Sequence, residues 1–359
     1  MKKLLSLILC LALSLTLLVG CSEDVIGSYL ENYEKNEDTV RKLTLNLYII
    51  TGDETTATAK TTVANMISSH ASSEYSTVLN VRYFTESEYE ASVKNAIAAG
   101  GSDAPHIILI NSESLVNDLI NAEGGNKLLD ISGYLRTKAY GKLNTQIAES
   151  LLQAARTNGK LYALPNNHVI GGNTGYEYFV INKEVAHQQL HYGKAILESY
   201  KSFDDAKNLI DEMNREGYNA EELVYSIKGS YELKAELESK GYICNVVKYP
   251  TATAEDAFAG AFAIVKNSND LYNDRAMQIL YALNTDVELR NLLQYGVQGT
   301  NYVLDLKGNV SRFTEGNNVY FMNLRYTGDA FKAYFSEELG WTKDAYDNGI
   351  LQNDESLVE

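Results

Sequence analysis

Residues 43–50 read Leu-Thr-Leu-Asn-Leu-Tyr-Ile-Ile, an alternating stretch that becomes continuously apolar. This pattern is typical of a β-strand that is buried on both faces, as the strands of a parallel sheet are. A polar loop, Thr51-Gly52-Asp53-Glu54, follows directly. The stretch therefore predicts the first strand of a parallel sheet, with a polar loop at its carboxyl end.

Helix and strand patterns alternate after this first strand. Residues 58–68 have the apolar spacing of a helix, residues 77–84 read as a strand, and Thr85-x-x-Glu88 is a capping box that opens a second helix. Pro105 then introduces a third strand, 107–110. Alternating strands and helices predict the α/β class with a parallel sheet.

Three glycines in five residues, Gly171, Gly172 and Gly175, separate this block from a second one. They predict a crossover that can absorb changes in backbone dihedral angle, which makes a hinge plausible. The elements expected beyond it are a strand at 178–182, a helix capped at Ser202, strands near 223–227, 242–248 and 262–265, a helix from Asp270, a helix opened by the capping box Thr285-x-x-Glu288, and a hairpin around 307–309. A chain of 359 residues is long for one core, so two units are expected.

The amino terminus has the layout of a secretory signal. Lys2 and Lys3 precede an apolar run over residues 4–19, and a small residue, Gly20, closes it. The run is near the short limit for a bilayer span, so a cleaved signal peptide at 1–20 is favoured over an uncleaved membrane anchor.

Leu18-Val19-Gly20-Cys21 also resembles the bacterial lipobox. In that motif the cysteine becomes the first mature residue and carries the lipid, so Cys21 is the expected lipidation site. Residues 21–41 are acidic and polar and predict a flexible linker. We therefore expect a protein held by acyl chains at the extracytoplasmic face of the cell membrane.

Charge and cysteine content exclude some classes of function. The net charge is −16, and no basic cluster remains outside the leader that could pair with phosphates, so nucleic-acid binding is not expected. Of the three cysteines, Cys10 leaves with the leader and Cys21 is lipidated. Cys244 then stands alone, so no internal disulfide is expected.

Tyrosine is the compositional outlier, with 26 Tyr against 9 Phe and one Trp. Aromatic rings with a polar edge suit a wet cleft that stacks on sugar rings and hydrogen-bonds hydroxyl groups. Tyrosine is also an ordinary half-buried residue of strands, and the composition by itself leaves both interpretations open.

Four motifs together resemble the extracellular solute-binding proteins of ABC transporters, in the type II two-lobe group that includes maltose-binding protein. They are the lipobox, the glycine-containing run Ala98–Ile108, the segment Gly159–Asn166 (Gly-Lys-Leu-Tyr-Ala-Leu-Pro-Asn), and the region from Asn284 to Tyr302 with its Tyr-Gly-Val-Gln-Gly-Thr-Asn-Tyr ending. The family usually has Asp at the position of His106 in the glycine-containing run. It also usually has Asp at the position of Asn158, directly before the segment Gly159–Asn166. The resemblance spans nearly the whole mature chain.

The resemblance implies a two-lobe α/β fold of the periplasmic-binding-protein type, with hinge crossovers near Gly171, Thr251 and Tyr320. The expected boundaries are 1–20 for the signal peptide, 21–41 for the linker, 42–171 and 252–320 for lobe 1, and 172–251 and 321–359 for lobe 2. It also implies a monomer that captures a small molecule, with carbohydrate as the expected class, for the permease subunits of an ABC transporter, without cofactor or metal. The segment between the first two crossovers is short for this family.

Candidate ligand-binding residues lie where the resemblance places the cleft, beyond the carboxyl ends of the strands. They are Thr51, Asp53 and Glu54 after the first strand, Asn111, Ser112 and Glu113 after the third, Asn166, Asn167 and His168 at the first crossover, and the aromatic residues Tyr176, Tyr178, Tyr326 and Trp341. Acid and amide groups can hold sugar hydroxyls, and the rings can stack on sugar faces. The alternative is that the polar residues cap helices and turns and that the rings pack in cores.

Other functions are weighed against solute capture. No nucleophile elbow, phosphate loop or dinucleotide fingerprint occurs, so no catalytic residue is assigned. Asp53 and Glu113 are the pair to suspect if the protein is a lipid-anchored glycoside hydrolase. A non-transporting ligand sensor is a further alternative. His187-x-x-x-His191 has a zinc-compatible spacing but reads better as a surface helix.

Overall fold

The computed structural model describes residues 41–171, 175–183, 202–217 and 224–358. The expected signal peptide, the linker up to residue 40 with Cys21, and the pair His187 and His191 lie outside the described residues.

The described elements alternate as the sequence pattern predicts. The strands are β1 Leu43–Ile50, β2 Thr77–Phe84, β3 Ile107–Ile110, β4 Arg156–Thr157, β5 Lys160–Leu161, β6 Ala163–Pro165, β7 Tyr176–Asn182, β8 Val224–Gly229, β9 Tyr242–Lys248, β10 Thr251–Ala252, β11 Ala261–Ile264, β12 Tyr302–Leu304, β13 Val310–Arg312 and β14 Leu357–Val358. The α-helices are α1 Ala57–Glu74, α2 Glu86–Ala99, α3 Glu113–Ile120, α4 Leu143–Gln146, α5 Glu149–Ala154, α6 Phe203–Arg215, α7 Tyr231–Ser239, α8 Ala254–Phe258, α9 Asp270–Thr285, α10 Val287–Tyr295 and α11 Lys343–Glu355.

A five-stranded sheet in the order β2-β1-β3-β11-β6 forms the centre of the first unit. β1 runs parallel to β2, with Leu43 beside Thr77 and Ile50 beside Phe84, and it is also parallel to β3. β11 is antiparallel to both β3 and β6. β1 is buried along its length except at Thr44, which confirms the prediction for this stretch.

This topology fixes the position of the polar loops. The carboxyl ends of β1, β2, β3 and β6 and the start of β11 meet at one edge of the sheet, because β11 runs against its neighbours and pairs Ala261 with Ile110 and Pro165. We call this line of strand ends the strand edge. The loops after β1 and β3 and the first crossover all leave from it.

The predicted cap is confirmed at the start of α2 but is wrong at the start of α10. At α2 the capping box is present, with Thr85 N donating to Glu88 Oε1 at 3.1 Å. The capping box expected at Thr285 is wrong, because α9 continues through Thr285 and Asp286 caps α10. Asp286 Oδ1 accepts from the backbone N of Glu288 and Leu289 at 2.9 and 3.0 Å, so a carboxylate caps α10, while the Thr285 hydroxyl donates back to Tyr281 O.

A three-stranded antiparallel sheet in the order β8-β7-β9 forms the second unit. Its core contains Tyr176, Tyr178, Val180, Leu237 and Cys244, with α7 packed on β9. Within the described residues this core is much smaller than that of the first unit.

The carboxyl-terminal helix α11 contacts parts of both units. Asn353 Nδ2 donates to His168 O at 2.8 Å, and Ile170 N donates to Asn353 Oδ1 at 2.9 Å, so α11 is bound to the first crossover. Asn348 Nδ2 donates to Glu232 Oε1 of α7 at 3.2 Å. β14, which follows α11, pairs with β10 in the second crossover. The carboxyl-terminal segment 343–358 therefore contacts both the first and the second crossover.

Residues 319–341 pack largely against the first unit. Tyr320 and Met322 lie in its core. Further along, Asn291 Nδ2 donates to Lys332 O at 2.9 Å and Tyr295 OH donates to Tyr334 O at 2.7 Å. The chain therefore stays on the first unit well beyond Tyr320.

Candidate functional site

The strand edge brings together side chains that are far apart in sequence. Glu86 begins α2 after β2, Asn111 follows β3, and Tyr326 belongs to a 3-10 helix, Leu324–Tyr326, on the segment that crosses this edge. Asn111 Nδ2 donates to Glu86 Oε1 at 2.9 Å, and Tyr326 OH lies 3.5 and 3.4 Å from the two carboxylate oxygens of Glu86. We call these three residues the edge cluster.

The edge cluster keeps unused hydrogen-bonding capacity. Glu86 is exposed and Tyr326 is half-buried, so both can reach a ligand. Asn111 Oδ1 is buried and has no hydrogen-bond partner among the described residues. Burial, with Glu86 beside it, raises the pKa of Tyr326 to about 12, so the phenol remains a donor throughout the physiological range.

The loop after β1 is fixed by backbone contacts. Thr51 is buried, and its hydroxyl donates to Phe321 O at 3.1 Å, as does that of Thr55. Asp53 and Glu54 are exposed at the tip. Thr51 thus positions the loop, while the two acids remain accessible at the strand edge.

The loop after β3 has a similar division. Ser112 caps α3, accepting from Leu115 N at 3.1 Å, and its hydroxyl donates to Glu90 Oε1 at 2.9 Å. Glu113 is exposed in the first turn of α3. Of the three residues expected after this strand, Ser112 is engaged as a cap and by Glu90, Asn111 binds Glu86, and Glu113 faces solvent.

The first crossover is buried. Asn166 Nδ2 donates to Arg325 O at 2.8 Å, and Asn167 Nδ2 donates to Gln146 O at 2.8 Å. Nδ1 of His168 lies 2.7 Å from Asn166 O. Asn166 Oδ1 and His168 Nε2 are buried without a hydrogen-bond partner among the described residues. The residues expected here lie under the strand edge and hold the crossover to its neighbours.

His168 is held in its neutral form. Burial lowers the pKa of His168 to about 4, and the nearby Arg325 acts in the same direction. A neutral ring can donate through one nitrogen only, which suits its single backbone acceptor.

The structure does not bring the other aromatic residues to the strand edge. Tyr176 and Tyr178 are stacked in the core of the second unit, with hydroxyls that donate to Glu355 Oε2 at 2.6 Å and Ser230 O at 3.0 Å. Trp341 is 3% exposed and packs edge-on against Phe331. Of the four rings expected as stacking platforms, Tyr326 alone lies in the edge cluster.

Sequence reasoning missed Glu86. Its position could have predicted this role, because Glu86 follows β2 just as Asn111 follows β3. The local pattern predicts only a helix start, with Thr85 and Glu88 as its capping box. The sequence also contains no indication that the segment around Phe321 and Arg325 lies at the strand edge. That segment contacts the loop after β1 across a separation of 270 positions in the chain, and no local pattern records such a contact.

Two further observations limit the chemistry within the described residues. No group of three or more His, Cys, Asp or Glu side chains is arranged to hold a metal ion in that part of the chain. No described helix combines the length and the apolar character that crossing a bilayer requires.

Comparison with known proteins identifies the fold. No protein-family model and no curated protein sequence matches the chain. Among solved structures, the chain is similar to the N-glycan transport solute binding protein (NgtS) from Streptococcus pneumoniae, with a TM-score of 0.54 and 15% identity over 88% of this chain and 84% of that one. A structure of NgtS in complex with Man5GlcNAc gives a TM-score of 0.53 and 16% identity over 89% and 83% of the two chains. The chain therefore has the two-lobe α/β fold of ABC-transporter solute-binding proteins, which confirms the expected fold class.

Proposed function

We propose that the protein captures a sugar or oligosaccharide outside the cell for import by an ABC transporter. The observation that carries the proposal is the edge cluster, in which a carboxylate, an amide and a phenol from three elements converge at the strand edge of a solute-binding-protein fold. Carboxylate and amide groups pair with adjacent sugar hydroxyls, and the Tyr326 ring offers a face for stacking. The neighbour NgtS is named for N-glycan transport and has structures in complex with Man1GlcNAc and Man5GlcNAc.

The mechanism that we propose is hinge closure. Ligand contacts from both units exist together only in the closed form, so the ligand shifts the open–closed equilibrium by its differential affinity for the two forms. Three connections cross between the units: residues 166–171, residues 249–253 and the approach to α11. We place the third at residue 342, later than Tyr320, because residues 319–341 pack on the first unit.

Membrane attachment belongs to the same proposal. Cleavage after Gly20 and lipidation of Cys21 would hold the protein at the outer face of the cell membrane, where acyl chains contribute about 0.8 kcal/mol per buried methylene. Permease subunits of an ABC transporter are the proposed partners.

The test is a thermal-shift screen over mono- and oligosaccharides, amino acids and peptides, followed by calorimetric titration of the best ligand. Tyr326→Ala is expected to weaken that ligand at least tenfold, because it removes both ring and hydroxyl, whereas Tyr326→Phe should lose less. Tyr272→Ala is the matched control, since Tyr272 stacks on His106 at the opposite end of β3. Equal affinities in Tyr326→Ala and Tyr272→Ala would reject the edge cluster as the site.

The same purified protein separates the alternatives. Release of shorter sugars from an oligosaccharide would favour the hydrolase, with Asp53 and Glu113 as its first suspects, while stoichiometric binding without products favours the receptor. Co-purification with a permease would separate transport from a sensor role.

A further inference from the structure

A pocket of about 500 Å³ lies away from the edge cluster. Its walls are residues 144–150 around the start of α5, residues 329–332, and one side of α11 between Tyr346 and Ser356. It includes Asn167 but none of Glu86, Asn111 and Tyr326. We call it the α11 pocket. Its size suits a ligand of one or two sugar rings.

The α11 pocket contains one buried acceptor without a donor and one buried carboxylate. Gln146 Oε1 is buried and unpartnered among the described residues. The Asp329 side chain is 3% exposed, and its Oδ1 accepts from Phe331 N at 3.0 Å. Asn167 also donates to the Asp329 carboxylate, and the positive charges of Lys332 and Arg290 act to lower its pKa, but no salt bridge in the described part of the chain includes Asp329. Burying a carboxylate without a salt bridge is costly.

The side chains that line the α11 pocket carry more negative than positive charge, which also favours a cationic ligand. Glu149 and Asp354 add two carboxylates, and Lys332 is the one basic side chain among the described residues that line the pocket. The α11 pocket is therefore rich in acceptors and carries an excess of negative charge.

An aromatic wall completes the α11 pocket. The rings of Phe331 and Tyr346 meet edge to face with centroids 5.6 Å apart, and Ile350 lies beside them in the lining. Aromatic faces favour nearby cations, so this wall and the carboxylates select for the same kind of ligand.

We propose that the α11 pocket is a second ligand site, for a small solute that carries a primary ammonium group together with hydroxyl groups, as an amino sugar does. The ammonium pairs with Asp329, a neighbouring N–H or O–H donates to Gln146 Oε1, and the carbon skeleton packs on Phe331 and Tyr346. The inference does not depend on the strand edge being a sugar site.

The test is calorimetric titration with glucosamine at about pH 7, with glucose as the matched neutral probe, because the two differ only in an ammonium and a hydroxyl. Glucosamine is expected to bind at least tenfold more tightly than glucose. Ile350→Trp, which places an indole in the pocket, should weaken glucosamine at least tenfold. Glu123→Gln, an exposed acid outside both the edge cluster and the pocket lining, should leave glucosamine affinity unchanged.

Gln146→Met is the second variant, since it removes the unpartnered acceptor while keeping the length of the side chain, and it should weaken glucosamine severalfold. Circular dichroism verifies that both pocket variants are folded. Absence of glucosamine binding at concentrations up to about 10 mM overturns the proposal, as does unchanged affinity in a folded Ile350→Trp or Gln146→Met variant. Loss of glucosamine binding in Glu86→Gln alone would also overturn it, while leaving the sugar site at the strand edge intact.

Discussion

Asn166 and Arg325, which are 159 positions apart in the chain, are joined by a hydrogen bond of 2.8 Å from the side-chain Nδ2 of the first to the backbone oxygen of the second. Asn166 N also donates to Gly260 O at 2.9 Å, so the first crossover, the turn before β11 and the segment that carries Tyr326 meet at one point. These hydrogen bonds fix the position of the segment that carries Tyr326 relative to the strand edge.

Gly260→Ala is expected to lower the free energy of unfolding by about 1 to 3 kcal/mol, because a Cβ there would overlap the Arg325 carbonyl, which is backbone and cannot rotate away. The variant should also weaken ligand binding by displacing Tyr326. Urea unfolding and calorimetric titration measure the two effects. Gly133→Ala is the control, since its Cβ would meet no atom within 4 Å. Equal stability of the two variants would contradict the close approach.

Glu86→Gln is expected to reduce the affinity for the best ligand of the screen about tenfold or more, because hydrogen bonds to a charged group contribute about 1.5 to 3 kcal/mol. Its melting temperature should stay near that of the wild type, since Glu86 is exposed. Glu123→Gln, an exposed acid beyond the end of α3, is the matched control. If both variants bind like the wild type, Glu86 does not contact the ligand.

His168 makes stability depend on pH. Its pKa in the folded protein, about 4, lies below the ordinary value of 6.5, so the unfolded chain takes up a proton first as the pH falls. The contribution of His168 to stability is therefore lost as the pH falls from about 6.5 towards 4, by about 2 kcal/mol between pH 7 and pH 5. Urea unfolding at these two pH values should show that the wild type loses about this much relative to His168→Gln, because the other titrating groups act alike in both proteins. Parallel behaviour of the two proteins would mean that His168 does not contribute.

Asp329 has the opposite dependence. Burial raises its pKa from 3.8 to about 6, so the folded protein retains a proton that the unfolded chain releases. The contribution of Asp329 to stability therefore falls as the pH rises through this window, by up to about 3 kcal/mol. Asp329→Asn keeps the acceptor for Phe331 N but cannot ionise, so its stability relative to the wild type should improve from pH 4 to pH 7. Chemical unfolding at both values measures this; a constant difference would show that Asp329 is ionised at no cost.

Some features were predictable because their causes are local. The apolar run 43–50 and the capping box at Thr85 each carry their signal within a few residues, and they yielded the α/β class and the first block of elements. Asn111 was placed correctly at the strand edge because the carboxyl ends of parallel strands meet there whatever the rest of the chain does.

Other features depended on contacts that no local pattern records. Tyr176, Tyr178 and Trp341 look like stacking platforms in the sequence, yet they are buried, because whether an aromatic ring faces a core or a cleft is decided by the elements that cover it. The cap at Asp286 was missed because α9 runs through Thr285 and leaves the next carboxylate to serve α10.

The sequence by itself determined the class of the fold, the first block of alternating strands and helices, and the loops that leave the strand edge, since these follow from local periodicity and chain direction. Only the tertiary structure decided that Glu86, Asn111 and Tyr326 form one cluster, that Asn166 is held under it, and that α11 forms one wall of the α11 pocket. The reason is physical: each of these arrangements is a set of hydrogen bonds and packing contacts between residues tens to hundreds of positions apart, whose partners are chosen by the packing of the whole chain.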